Sequence, residues 1–485
     1  MMRHASISSA LAMLACGSIA LSSGCARNPA TGGLELMLVS ESQEIAMGQQ
    51  TDPAVVAQFG LYDDPSLQQY VANLGARLAA NSERPNLPWT FRVVDDPIVN
   101  AFALPGGFIY VSRGILSHFN SESQLVSVLG HEIGHVTARH SAAQMSQQQL
   151  AQLGLGLGVV LLPDLADYAG LAQAGLGLLF LKFGRDDERQ ADALGFRYLT
   201  RIGYDPREMP GVFSMLGRVS DAAGGPGMPV WLSTHPDPGD REQRIASLIA
   251  GSGQDFTGAT VNQNEYLRRL DRMVYGDNPR EGYFRDQLFL HPDMRFQIAF
   301  PAGWMTANQK SAVLAQSPNK DAIMQLTVAA PNSPAAAARD FVAQEGVTGG
   351  PVQGGNIHGF PAAAAEFTAE SETTVLRGSV TFVEYDGNLY RLLAYSTRDG
   401  WAGYADAIGR SVMSFDRLTD QAALSAQPMR LSIVQLDRAM TLEEFNRRYP
   451  SSVSLETLAI LNQVEVSTRM ATGTLVKRVT GNPPQ

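Results

Sequence analysis

The chain has 485 residues, of which 45% are apolar and 17% charged, and a formal net charge of −10. That much apolar material excludes a chain disordered throughout, and the length accommodates two to four domains. The negative charge is dispersed and leaves no basic face, which excludes nucleic acid as a partner, while two cysteines exclude a disulfide framework.

Residues 1–25 open with Arg3 and His4, continue through an apolar stretch from Ala10 to Leu21, and end on Ser22-Ser23-Gly24-Cys25. This is the layout of an export signal. The small residues before Cys25 resemble a bacterial lipobox, in which the cysteine is acylated and becomes the new N-terminus. Leu21 stands one place further back than in the usual pattern. The expectation is a periplasmic protein anchored to the outer membrane by lipid on Cys25, with a plain cleaved signal peptide as the alternative.

Apolar spacing predicts helices around Glu41–Gly48 and Leu67–Ala80. Strand-like runs follow at Phe91–Val94, Ala101–Ala103 and Phe108–Val111, with Pro105-Gly106-Gly107 as a turn. Ser121 and Gln124 form a capping-box signature, and Leu125, Val128, Leu129 and Ile133 supply the stripe of the helix it opens. Leu153–Leu162 and Ala169–Phe183 read as two packed helices. Pro163, Asp164, Asp167 and Gln173 interrupt them well short of the ~20 apolar residues of a membrane span. A further helix starts near Asp186 and ends before Gly203. The first domain is therefore placed at 26–255, followed by a polar linker at 256–285.

Residues 286–425 read as a separate α+β domain. It has a strand at Phe296–Phe300, helices at Pro334–Gln344 and Trp401–Ser414, and a hairpin of Val375–Glu384 and Leu389–Tyr395 about Asp386-Gly387. Residues 430–480 read as a small βααβ unit: strand Leu431–Leu436, helices Thr441–Tyr449 and Ser454–Leu461, and strand Thr474–Arg478.

The chemistry is concentrated in His131-Glu132-Ile133-Gly134-His135. Residues four apart on a helix point about 40° from one another, so both imidazoles reach one zinc ion at roughly 2.0–2.1 Å. Glu132 points about 100° away and is left free to take a proton from water polarised by that ion. Catalytic zinc takes a third protein ligand. Glu188 and Asp192, four apart in Gly184–Asp192, offer one carboxylate for the metal and one for the outer nitrogen of a ligating histidine. Spacing alone also allows an acidic first turn that answers the helix dipole. His140, about 140° round a continuous helix from His135, is expected to be solvated. His118, His291 and His358 stand alone and read as surface or capping residues.

Glu188-Arg189-Gln190-Ala191-Asp192 downstream of the histidine pair resembles the zinc metallopeptidases typified by HtpX and the CAAX prenyl endopeptidases, and most of all the soluble periplasmic BepA/LoiP-type members. Asn28-Pro29-Ala30-Thr31-Gly32 with Leu38-Val39-Ser40-Glu41, Asn100–Gly107, and Thr234-His235-Pro236 with Arg241 are similar to further segments of that family. The resemblance covers roughly residues 26–250. It implies a mostly α-helical gluzincin (zincin-like α+β) fold holding one zinc ion by His131, His135 and Glu188, with Asp192 behind the ligands. It also implies an edge strand at Asn100, Ala101 and Phe102 that binds extended substrate by strand addition. His235 would be an oxyanion donor or an idle fourth ligand, and Arg241, with Arg244 as its rival, would pair with the oxyanion or a carboxylate. The implied activity is zinc-dependent endopeptidase cleavage of unfolded or misfolded envelope proteins. A binding or chaperone-like lipoprotein with a latent site is the alternative, and the intact Glu132 speaks against it.

Thr441-Leu442, Leu461-Asn462 and Gly473-Thr474-Leu475 resemble a degenerate LysM module lacking the usual Gly-Asp before Thr441, which implies contact with peptidoglycan. Phe300-Pro301-Ala302-Gly303-Trp304 resembles PsbP-like domains and implies no function.

Overall fold

The computed structural model describes residues 25–154, 181–223, 231, 234–235, 238–370 and 375–482. The leader through Gly24, most of the two helices expected at Leu153–Leu162 and Ala169–Phe183, and Pro236 lie outside these residues. Among the described residues no helix is long and apolar enough to cross a membrane.

The chain folds as two compact units. One holds Gly60–Tyr275 with the residues up to Val56 and Arg430–Thr480; the other is essentially Gly276–Met429. The first opens with a short hairpin, β1 (Cys25–Arg27) and β2 (Leu34–Leu36), then α1 (Glu41–Phe59) and α2 (Pro65–Ala79). Strands β3 (Thr90–Val94), β4 (Ala101–Leu104) and β5 (Phe108–Ser112) form a sheet in the order β3-β5-β4. β4 is antiparallel to β5, while β3 runs parallel to it. The expected edge strand is therefore at an edge, although Ala101, Phe102 and Leu104 are buried.

Helix α3 (Arg113–His118) leads into α4 (Glu122–Ala138), every residue of which is buried. Ser121 caps α4 by accepting from the Gln124 amide at 3.2 Å, but Gln124 Oε1 accepts from Asn120 N rather than closing the reciprocal bond. The helix stops at Arg139, whose backbone is left-handed (φ 63°). A non-glycine residue pays for that conformation with strain, here offset by bonds from its guanidinium to Glu44 at 2.6 Å and Val39 O at 2.7 Å. The chain then turns into α5 (His140–Gly154). Helices α6 (Arg185–Arg201), α7 (Met209–Ala223), α8 (Pro238–Gly251) and α9 (Gln263–Arg269) follow. The segment expected as a linker thus carries a helix, in which Tyr266 and Leu267 are buried.

Residues 430–480 show the expected order: a strand at Arg430–Gln435, helices at Leu442–Arg448 and Leu455–Asn462, and a strand at Leu475–Thr480 antiparallel to the first. They belong to the first unit rather than standing apart. Lys477, fully buried, donates to the carbonyls of Ser117 and Phe119 at 2.8 and 2.9 Å, where α3 ends with unpaired acceptors. Gln463 donates to His118 O at 2.8 Å. His118, expected as a surface or capping residue, is buried in the last turn of α3, with its ring nitrogen 2.8 Å from Gly114 O.

The second unit has an eight-stranded sheet, in which the long hairpin β6 (Val375–Tyr385) and β7 (Asn388–Thr397) turns at Asp386-Gly387 as expected, and a four-stranded sheet. Helices α10 (Pro334–Val342) and α11 (Trp401–Met413) lie within two residues of their predicted ends. Phe289, Phe296, Trp304, Tyr390 and Phe415 anchor its apolar core.

Candidate metal centre

Helices α4 and α6 bring the site together because small residues line their contact. A Cβ on Gly195 of α6 would stand 3.0 Å from the backbone nitrogen of His131, and one on Gly134 of α4 would stand 3.0 Å from Ala191 O. Only at that separation do His131 and His135 on one helix meet Glu188 and Asp192 on the other.

His131, His135, Glu188 and His235 offer ligand atoms within 4.8 Å of one another, all buried. His131 Nε2 is 3.0 Å from His135 Nε2 and 3.3 Å from His235 Nδ1. Glu188 Oε1 lies 2.8 Å from His235 Nδ1 and 3.4 Å from His135 Nε2, and Oε2 lies 3.5 Å from His131 Nε2. A tetrahedron with bonds of ~2.05 Å has edges of about 3.3 Å, which these separations bracket. Nitrogen and oxygen donors at that spacing need shared protons or a cation among them, and the type and geometry of the donor set fit zinc.

Charge states agree. Burial, followed by the Arg241 guanidinium, takes His131 down to about 3, leaving it a neutral ligand. Burial works to raise Glu188, but His235 and Arg241 outweigh it and hold the carboxylate well below its usual range. Glu132 is outside the ligand set. Its Oε1 is 3.7 Å from His235 Nε2 and 3.5 Å from the indole nitrogen of Trp231, and burial pushes its carboxyl up to about 7 against the pull of His135. A buried carboxylate poised there suits proton exchange near neutral pH.

Around this set, Asp192 Oδ1 accepts from His131 Nδ1 at 3.0 Å. Arg241, fully buried, clamps Asp192 through Nε at 2.9 Å and Nη2 at 2.5 Å. Its Nη1 is 2.8 Å from Glu188 Oε2 but out of line for a hydrogen bond. Arg241 therefore faces carboxylates, whereas Arg244 is partly exposed and 3.9 Å from Asp192. Trp231 stacks on His235 with ring centroids 4.7 Å apart, and the Arg241 guanidinium lies 4.7 Å from the Trp231 ring centroid.

His140 is where the sequence reading fails. It is buried, with its Nδ1 2.9 Å from His135 Nδ1 and its Nε2 2.6 Å from Gln190 Oε1. The left-handed turn at Arg139 breaks the helical wheel on which the 140° offset rested. One signal was available: three of the chain's eight histidines fall within residues 131–140. Trp231 and Phe183, the latter stacked on His135 at 4.0 Å, were also missed. His291 is partly buried, and burial lowers its pKa to about 4; His358 is exposed.

Residues 65–249 match the profile of peptidase family M48. The chain is 35% identical over 238 residues to the beta-barrel assembly-enhancing protease of Yersinia pestis, covering 47% of this chain and 48% of that one. It is 32% identical over 234 residues to the Escherichia coli protein of that name, covering 45% and 47%. Against the mitochondrial metalloendopeptidase OMA1 of Arabidopsis thaliana it is 36% identical over 217 residues, covering 44% and 42%. The chain thus spans less than half the length of each of these relatives. A solved cyanobacterial PsbP from Synechocystis aligns with TM-score 0.24 and 12% identity over 28% of this chain and 94% of that one, a likeness on which no argument rests.

Proposed function

We propose, from the match of residues 65–249 to the profile of peptidase family M48, that the protein is a zinc-dependent endopeptidase of gluzincin type. The observation that carries this reading is the convergence of His131, His135 and Glu188 beside a Glu132 carboxyl held near neutrality. Bound there, one zinc ion would supply a Lewis acid and lower the pKa of a coordinated water.

The protein's own groups supply the rest. Glu132 takes the proton as water adds to the peptide carbonyl, then delivers it to the departing amine. Asp192, clamped by Arg241, holds the outer nitrogen of His131. Extended substrate adds along β4 at Asn100, Ala101 and Phe102, a mode that tolerates many side chains and so suits unfolded chains. Asn100 brings a buried Oδ1 without a hydrogen-bond partner among the described residues. His235, whose Nδ1 lies among the ligand atoms, is read as a fourth ligand that keeps the enzyme idle until substrate displaces it. His235→Ala is then expected to raise cleavage at unchanged zinc content, and a fall in cleavage would assign His235 to oxyanion binding instead.

The substrates under this reading are misfolded or misassembled envelope proteins, met in the periplasm by a protein anchored to the outer membrane through lipid on Cys25. Contact of the LysM-like residues 430–480 with peptidoglycan belongs to the same reading and is tested by cosedimentation with isolated cell wall. The central experiment measures bound zinc and casein cleavage for wild type and Glu132→Gln. Zinc in both proteins with cleavage by wild type alone is expected; a folded wild type without zinc would sink the ligand assignment.

A further inference from the structure

We infer that Gln190 and His140, with Asn28 setting the orientation of Gln190, form a relay of hydrogen bonds that fixes the tautomer of His135, holding its Nε2 unprotonated toward the metal. The inference rests on the zinc reading above.

The direction of every bond follows from its outermost member. Asn28 Oδ1 accepts from the amides of Ala30 and Thr31 at 2.8 and 3.3 Å, so the other end of that side chain is its amino group. That amino group donates to Glu35 Oε1 at 2.8 Å and to Ala138 O at 3.1 Å, and stands 3.5 Å from Gln190 Oε1. A flipped Gln190 would set its own amino group against that of Asn28, so its oxygen faces His140. An amide oxygen only accepts. His140 Nε2, 2.6 Å away, therefore carries the hydrogen, and His140 Nδ1 is left as a lone pair. His135 Nδ1, 2.9 Å from that lone pair, must donate to it. In a neutral imidazole this leaves His135 Nε2 unprotonated, and it is this nitrogen that points at His131, Glu188 and His235.

The two zinc histidines are thus oriented by different means. His131 leans on an anion, Asp192, neutralised by Arg241. His135 leans directly on neutral groups, His140 and then Gln190, with Asn28, 1% exposed in the loop after β1, behind them and the Asp187 carboxylate 3.8 Å from His140 Nε2. His140 is a positioning residue, acting through His135 without touching the metal.

The test compares the full-length protein with His140→Phe, His140→Asn, Gln190→Met and Gln190→Glu, measuring zinc affinity by competition with a chromogenic chelator. Melting of each metal-free protein is recorded alongside. Asn places an oxygen where the Nδ1 lone pair of histidine stood, and Glu keeps an acceptor at 190. His140→Phe is expected to weaken zinc binding about 10–100-fold, the usual cost of losing such a partner, with His140→Asn recovering most of it. Gln190→Met is expected to weaken binding less, and Gln190→Glu to retain it. If His140→Phe binds zinc like wild type, or His140→Asn is as weak as His140→Phe, the relay is wrong while the metal site stands. Should His140→Phe not fold, the Gln190 pair decides: equal affinities in Met and Glu overturn the relay. Absence of zinc from folded wild type removes both the relay and the site.

Discussion

The two compact units bury different things. In the first, the buried set includes His118, His131, Glu132, His135, His140, Glu188, Asp192, His235, Arg113, Arg241 and Lys477. Among the described residues of Gly276–Met429 the buried set has no Asp, Glu, His, Lys or Arg; its polar members are Ser317, Thr381, Ser396 and Ser411, with tyrosine hydroxyls, around a core rich in aromatic rings. Burying a charge costs several kcal/mol unless it is paired, and a pair seldom outdoes an apolar replacement of the same volume. Packing alone can therefore hold a fold, as in the second unit. The density of buried ionisable groups in the first is what a reactive centre requires, and it marks where function lies.

The sharpest way to break this contrast is chemical. Glu132→Gln keeps shape and removes the proposed base, so casein cleavage is expected to fall ~10²–10⁴-fold with zinc content and melting little changed. An equal loss of zinc would show that Glu132 holds the site together rather than reacting in it. Next, Arg241→Leu leaves Glu188 and Asp192 buried without their counter-charge. A loss of roughly 3–5 kcal/mol is expected in the metal-free protein, read by urea denaturation.

Phe415→Ala in the second unit is expected to cost about 3–5 kcal/mol through the cavity it leaves, lowering the melting of that unit without altering zinc affinity. A change in zinc affinity would mean that the two units are not energetically separate.

The smallest effect depends on pH. Burial, with Lys477 adding to it, lowers His118 to about 4, below its ordinary 6.5. The unfolded chain therefore takes up the proton first as pH falls. Stability from this group is complete above about 6.5 and is lost as pH falls through about 4, a change on the order of 3 kcal/mol. His118→Asn should flatten that part of the stability curve; an unchanged slope between pH 6.5 and 4 would dismiss the assignment.

Much of this was legible in the chain, and the reason is local. The ends of α2, α10 and α11 follow from apolar period and capping residues, and the hairpin of β6 and β7 from Asp386-Gly387, where Asp386 has φ 49° and Gly387 φ 76°. The proposed ligand pair His131 and His135 follows from spacing within one helix, and the proposed role of Asp192 from the same period in α6. What escaped was contact across chain breaks. The parallel pairing of β3 with β5 skips over β4, and Lys477 meets α3 across some 360 residues of sequence.

His140 draws the line between the two kinds of information. The sequence by itself determined a helix with two histidines and a glutamate correctly spaced, because periodicity is a property of a few consecutive residues. Only the tertiary structure decided that Glu44 and Val39 O would hold Arg139 in a left-handed turn. That turn sends His140 back onto His135 rather than out to solvent. The backbone there is set by partners about 100 residues away, and no local pattern encodes them.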